Sequence, residues 1–356
     1  MNEFYELTHI DTATPKAPDQ SIMIIYTGGT LGMVFDEEGA LMPFNFNKIL
    51  EAIPSLKTFN LKLVVASFKQ LIDSSDINPG HWSQIASLIE NFYDQMNGFI
   101  VIHGTDTMAF TASALSFMLE GLNKPVIFTG AQLPIGAARS DARENLITSI
   151  DIASQVISDR PIVSEVCIYF NNHLLRGNRA KKVESVQFDA FHSENYPVLA
   201  EAGVLIEYDF AALRPYRAKT VLNVRKDLKQ EVAILKIFPG ISAALVKNML
   251  SSTGLRGLVI ETFGSGNAPS ETWFIEALKQ AIEEGMLVMN VSQCVGGKVI
   301  QGRYQTSKAL AAIGVISGGD ITTEAAITKL MYVLSHSRDP KAQRMYMLQS
   351  LRGEME

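Results

Sequence analysis

The chain has 356 residues, 47% hydrophobic and 19% charged, the balance of an ordinary globular protein with length for about two domains. Lys and Arg number 31 against 37 Asp and Glu; the formal net charge of -6 gives no general attraction to nucleic acid or an anionic membrane surface and excludes both as primary partners. Two cysteines, Cys167 and Cys294, both in apolar stretches, argue against a disulfide framework and for a reducing compartment.

Residues 1–20 contain Glu3, Glu6 and Asp11 and no apolar core of signal-peptide length, so they read as a polar tail on a cytoplasmic protein. No apolar run approaches the ~18 residues of a membrane span. Residues 22–26 form a buried strand that stops at Thr27-Gly28-Gly29-Thr30, with Gly32 close behind. Residues 34–39, charged and ending in glycine, read as a mobile loop beside that turn. A strand over 61–68 leads into Asp73-Ser74-Ser75-Asp76, two serines between two aspartates that are equipped to hold an amine or a carboxylate, or to cap a helix. Pro79 opens a helix, capped by Asp76 or Asn78, with apolar residues at 85, 89, 92 and 96 and Gly98 at its end.

A strand over 99–102 then runs into His103-Gly104-Thr105-Asp106-Thr107. A helix over 107–120, a strand over 124–129 ending in Gly130-Ala131-Gln132, a helix over 141–158 and a strand over 164–170 continue the alternation. This βαβα order predicts an α/β fold whose amino-terminal domain has a parallel sheet with helices on both faces. The polar, basic stretch 171–182 reads as a loop at a strand end that could deliver Lys182 to a crevice. Residues 196–226 are irregular, with Pro197 and Pro215, and read as a linker between a domain over 21–195 and a smaller α/β domain over 227–356. The second domain alternates strands at 232–238, 257–263 and 286–291 with helices after Ser242, at 270–284 and at 322–335.

In open parallel sheets ligands bind beyond the carboxyl ends of the strands, so the turns at 27–32 and 103–107 are expected to share one crevice. A threonine hydroxyl needs a base or proton relay to attack a carbonyl. Thr105, Asp106 and Lys182 could supply it, and N–H groups of the glycine turn could stabilise an oxyanion. The histidines show no metal-ligand spacing, the glycines at 28, 29 and 32 miss the dinucleotide fingerprint, and neither a G-x-S-x-G elbow nor a P-loop is present. His103, directly after an apolar strand, reads as structural.

Thr27-Gly-Gly-Thr30 and the segment from Gly98 through His103-Gly-Thr105-Asp106-Thr-Met resemble the two signature segments of the bacterial L-asparaginases. Asp73-Ser-Ser-Asp, Thr129-Gly-Ala-Gln, Arg176-Gly-Asn-Arg, Phe263-Gly-Ser-Gly-Asn-Ala-Pro, Gln293-Cys and Leu351-Arg-Gly-Glu are similar to the cytoplasmic type I branch. The resemblance implies hydrolysis of L-asparagine to aspartate and ammonia, no metal or organic cofactor, and a homodimer or homotetramer. It places the nucleophile at Thr30, and the second hydroxyl, carboxylate and lysine at Thr105, Asp106 and Lys182. Asp106 would also hold the substrate's α-ammonium, Ser74 and Ser75, beside Asp73, its α-carboxylate, and Gly29 and Ala131 would offer main-chain contacts.

The loop after the first motif has Phe35 and Ala40 but no tyrosine where many relatives carry an activating one; Tyr304 aligns with a tyrosine given that role in some type I relatives. An activating asparagine site of some members would be lined by a threonine, an arginine and a cysteine. Here Cys294 matches the cysteine, but Lys181 and Glu261 replace the other two, so this effector site is expected to be weakened or absent, with Lys181 and Glu261 paired. Other readings are the ammonia-releasing asparaginase-like component of a tRNA amidotransferase and a silent amino-acid sensor.

Overall fold

A computed structural model describes the protein at residues 4–12, 18, 20–36, 38, 40–302 and 305–356. The chain forms two compact units, Met1–Lys226 and Asp227–Glu356. Among the described residues no helix is long and apolar enough to cross a membrane.

The first unit is built on a nine-stranded sheet. Its strands are β1 (Tyr5–Asp11), β2 (Gln20–Tyr26), β3 (Leu61–Phe68), β4 (Gly98–Ile102), β5 (Val126–Thr129), β6 (Val166–Phe170), β7 (His173–Arg176), β8 (Ala200–Ala202) and β9 (Ile206–Tyr208), in the spatial order β1-β3-β2-β4-β5-β6-β7-β8-β9. The centre, β3-β2-β4-β5-β6, is parallel. These strands are nearly continuous apolar runs because both sheet faces are covered. Crossovers α1 (Pro79–Phe92), α2 (Met108–Met118) and α3 (Ala142–Ser154) join β3 to β4, β4 to β5 and β5 to β6. Ile22, Ile24 and Tyr26 share a core with Leu146 and Ile150 of α3, and the period of two sends Met23 and Ile25 to the opposite face.

The sequence reading differs from the structure at several places. Part of the expected polar tail is β1, antiparallel to β3, and Thr12 fixes its end by donating to Leu61 O (2.7 Å) and accepting from Leu61 N (2.8 Å). As the outermost strand, β1 leaves Glu6, Leu7 and His9 exposed and so shows no apolar run. The expected linker 196–226 belongs to the first unit, where β8 and β9 extend the sheet; three-residue strands bearing outward Glu201 and Glu207 give no hydrophobic signature.

The stretch 171–182, expected as a loop, contains the hairpin arm β7 and the short strand Lys181–Lys182. Asn171 and Asn172 have φ of 45° and 69° and turn β6 directly into β7, as a two-residue turn with both residues left-handed requires. Helix α1 ends at Phe92, not at Gly98, which opens β4 where a Cβ would lie 2.9 Å from the Pro125 ring. The expected loop over 34–39 is bounded by the paired segments Met33–Phe35 and Leu41–Pro43, and Asp36 Oδ1 accepts from the N–H groups of Glu38 (3.0 Å) and Ala40 (2.7 Å); Glu37 and Gly39 lie outside the described residues.

The second unit has a four-stranded parallel sheet, β10 (Val232–Lys236), β11 (Gly257–Thr262), β12 (Leu287–Ser292) and β13 (Ile316–Ser317), in sequence order. Its helices are α4 (Ala243–Leu250), α5 (Thr272–Glu283), α6 (Gln305–Ala312), α7 (Thr323–His336) and α8 (Pro340–Leu348). Phe274 and Leu278 of α5 pack with Leu258 and Ile260 of β11 in its core.

Candidate active site

The chain reverses its direction of winding at β2, with β3 on one side and β4 on the other, and the turns after β2 and β4 lie at this switch point. Thr27 continues β2: its N–H (3.1 Å) and its hydroxyl (2.9 Å) both donate to Ile102 O, so its buried side chain is spent on holding the two strand ends together. Gly28 and Gly29 follow with φ of 137° and 89°. A Cβ would lie 2.3 Å from Ile72 O at Gly28 and 2.6 Å from Gly104 N at Gly29, so only glycine fits between the neighbouring turns.

Thr30 opens a single 3₁₀ turn, Thr30–Gly32, supported from below by Tyr26, whose hydroxyl donates to Gly32 O at 2.6 Å. Burial raises the Tyr26 pKa well above its usual value and keeps the phenol a donor. Sequence reading missed this support; the signal is Gly32 itself, where a Cβ would fall 2.3 Å from the Tyr26 ring. Tyr26→Phe removes one of two donors to the Gly32 carbonyl, which also accepts from the Phe44 N–H at 2.8 Å, and is expected to cost about 0.5–1.5 kcal/mol, read as a lower urea midpoint with unchanged m-value.

After β4, His103 is fully enclosed. Its Nδ1 donates to Gly104 O (2.6 Å), and its Nε2 accepts from Thr111 Oγ1 (3.0 Å), which in turn accepts from Trp82 Nε1 (3.0 Å). The carbonyl can only accept, so the proton sits on Nδ1. Burial lowers the ring's pKa to about 4. His103 is therefore a neutral brace for the turn, in line with its structural reading. Thr105 and Asp106 follow, and Lys182, from a two-residue strand paired with Phe191–His192, reaches both: Nζ donates to Thr105 Oγ1 at 2.8 Å and to Asp106 Oδ1 at 2.6 Å. The Lys182 side chain is 16% exposed and that of Asp106 67%. The lysine is thus the enclosed partner and the carboxylate the one open to a ligand.

A cavity of about 300 Å³, at the lower end of small-molecule sites, is lined by Gly29, Thr30, Asp73, Ser74, Thr105 and Asp106, among others. Asp73 caps the Ser74–Asp76 turn: Oδ1 accepts from Ser75 N (2.9 Å) and Ser75 Oγ (2.8 Å), and these bonds, the backbone one foremost, hold its carboxyl below the usual range. Ser74 is buried against Gly104, and Thr107 Oγ1 donates to Ser74 O at 2.6 Å, joining this turn to the Thr105 turn. Thr107 was not assigned this tie from sequence.

Ala131 is buried at the end of β5, next to Gly130, where a Cβ would lie 3.4 Å from the Thr105 methyl. Its turn is fixed by Asp141, which accepts from the N–H groups of Gln132 (3.0 Å) and Leu133 (3.1 Å). Tyr304 lies outside the described residues. Lys181 is half-buried beside Lys182 in the first unit, and Cys294 is exposed in the second. Glu261, buried on β11, is served within its own unit: Thr323 Oγ1 donates to Oε1 at 2.6 Å and Lys236 Nζ lies 3.8 Å from Oε2.

Residues 21–213 match the family model for the amino-terminal asparaginase domain, and residues 231–347 that for the glutaminase/asparaginase carboxy-terminal domain. The chain belongs to the asparaginase family. It is 42% identical to L-asparaginase 1 of Escherichia coli over 94% of this chain and 98% of that one. It is 35% identical to a component of the glutamyl-tRNA(Gln) amidotransferase of Pyrococcus abyssi, over 96% of this chain and 77% of the relative. A crystal structure of L-asparaginase I from Vibrio cholerae superposes with a TM-score of 0.85 at 39% identity, covering 95% of this asparaginase-family chain and 99% of the other.

Proposed function

We propose that the chain hydrolyses the side-chain amide of L-asparagine to L-aspartate and ammonia through a threonine nucleophile. The observation that carries the reading is that Lys182 Nζ is bonded both to Thr105 Oγ1 and to Asp106 Oδ1, two residues on the wall of a cavity that also holds Thr30. Thr30 Oγ attacks the amide carbon and forms an ester as ammonia leaves; water then attacks the ester and releases aspartate. In its amine form Lys182 draws the Thr30 proton through the Thr105 hydroxyl, along the 2.8 Å contact, and returns it to the departing nitrogen, while Asp106 keeps the lysine oriented. Main-chain N–H groups of the glycine turn face the developing oxyanion. Asp106, the exposed carboxylate, receives the α-ammonium, and Ser74 and Ser75, in the turn that Asp73 caps, receive the α-carboxylate. Ala131 contributes a main-chain contact, and Tyr304 is the tyrosine proposed to activate Thr30. The protein acts in the cytoplasm, as a homodimer or homotetramer, with the asparagine effector site at Lys181, Glu261 and Cys294 weakened or absent.

The test is ammonia release from L-asparagine across a wide concentration range, with glutamine in parallel. A hyperbolic curve is expected. A sigmoidal curve keeps the hydrolase and restores the effector site; binding of asparagine without ammonia release puts the amino-acid sensor in its place.

A further inference from the structure

The Ser74–Asp76 turn runs through extended Ile77 into the start of α1. There Asn78 Oδ1 accepts from Gly80 N at 2.9 Å, and the Asn78 N–H donates to Nδ1 of His81 at 3.3 Å, completing a reciprocal capping box. The third helical position of such a box is ordinarily Glu or Gln, whose oxygen remains an acceptor through the neutral range. An imidazole nitrogen accepts only while the ring is neutral, and a charged ring at a helix N-terminus also opposes the helix dipole. His81 lines a cavity of about 500 Å³ that includes Leu71, Ile72 and Asp73, residues that line the Thr30 cavity as well.

We propose that His81 is a positioning residue for the α-carboxylate of the substrate: its neutral ring fixes the entry to α1 and so the Ser74–Asp76 turn, and its protonation loosens both. The proposal rests on the functional reading above. The charged groups that share the cavity with His81 are Lys69, Asp73 and Asp76. Burial lowers the ring's pKa and the charge of Asp76 works against it; the net shift is downward, so the box is intact at neutral pH. For a histidine whose folded pKa is depressed, the stabilisation is fully present above the unfolded value of about 6.5 and is lost as pH falls through the folded value. The α-carboxyl and α-amino groups of an amino acid keep their charges across that window.

The experiment is steady-state turnover of L-asparagine by wild type, His81→Gln and His81→Ala at pH 7.5 and at pH 5, with thermal denaturation of each. From the cost of losing a cap, the wild-type KM is expected to rise about threefold to tenfold at the lower pH, with kcat following that of His81→Gln. His81→Gln, which retains an acceptor that does not titrate, keeps a flat KM, and His81→Ala has a raised KM at both pH values. A KM for His81→Gln that rises in parallel with wild type, or a wild-type KM in His81→Ala at pH 7.5, overturns the proposal. A pH-dependent loss of Tm in wild type relative to His81→Gln, without any KM difference, makes the box a structural cap alone and also overturns it. No ammonia from wild type at either pH overturns the asparaginase reading, and the proposal with it.

Discussion

Thr30→Ala is expected to lower kcat for asparagine by roughly 10³-fold or more, with Thr105→Val and Lys182→Met each falling in a range of about 10²–10⁴. Thr30 and the Thr105–Asp106–Lys182 group act on the same reacting bond, so their losses do not add. A Thr30→Ala/Lys182→Met double variant is expected to be little slower than Thr30→Ala alone, as found where nucleophile and base act as one unit. The KM of Lys182→Met should change little, because Lys182 is largely enclosed while Asp106 presents the carboxylate to the cavity. Asp106→Asn is the opposite case, raising KM together with the loss in kcat, since that carboxylate both holds the α-ammonium and orients the lysine. Steady-state ammonia release separates these patterns. Full additivity in the double variant would mean that Thr30 and Lys182 serve different steps.

Much of this constellation is legible in the sequence because fully buried parallel strands leave a plain trace, an apolar run ending in glycine. β2 and β4 read that way, and Gly28, Gly29 and Gly104 mark where their turns press on each other and on the segment after β3. Outer strands leave no such trace. β1 and β9 consist largely of exposed and half-buried residues, and β7 is announced only by an Asn-Asn pair whose left-handed conformations make a turn. Lys182 lies 76 residues from Asp106, and its arrival at the site depends on the whole sheet; only the family resemblance selected it among the basic residues of its segment. Its delivery has a structural cause. Arg176, at the end of β7, is buried against Glu165 (2.6 Å) and donates to Ala212 O (2.8 Å), which fixes the chain just before the 181–182 strand. His103 shows the converse, for its brace is formed by Trp82 and Thr111, a helix apart in sequence and adjacent only in the fold.

The largest stability effect is expected within the second unit, where the carboxy-terminal segment closes on α7. Lys329 of α7 and Glu354 are both fully buried and 2.6 Å apart. The lysine also donates to Gln349 O at 2.6 Å, and Glu354 accepts from the N–H groups of Leu351 (3.0 Å) and Arg352 (2.7 Å). The Leu351-Arg-Gly-Glu segment is thus a loop wrapped around its own glutamate and pinned by a lysine from the core. Removing one partner leaves a buried charge uncompensated, so Lys329→Met and Glu354→Gln are each expected to cost about 3–5 kcal/mol, or roughly 10 °C in Tm. Replacing both by apolar residues is expected to cost much less than either single change, because the desolvation penalty of the pair disappears with the pair. Burial works against the Glu354 carboxylate, but the Lys329 charge, its hydrogen bond and the two N–H groups outweigh it and hold the pKa below the ordinary value. A depressed carboxyl contributes stability that is fully present above its unfolded pKa of about 4.3 and is lost as pH falls through the folded one. Between neutrality and pH 3, wild type should therefore lose more stability than Glu354→Gln, and their denaturation midpoints should converge at the acid end. Parallel losses in the two proteins would show that the pair stays closed after protonation.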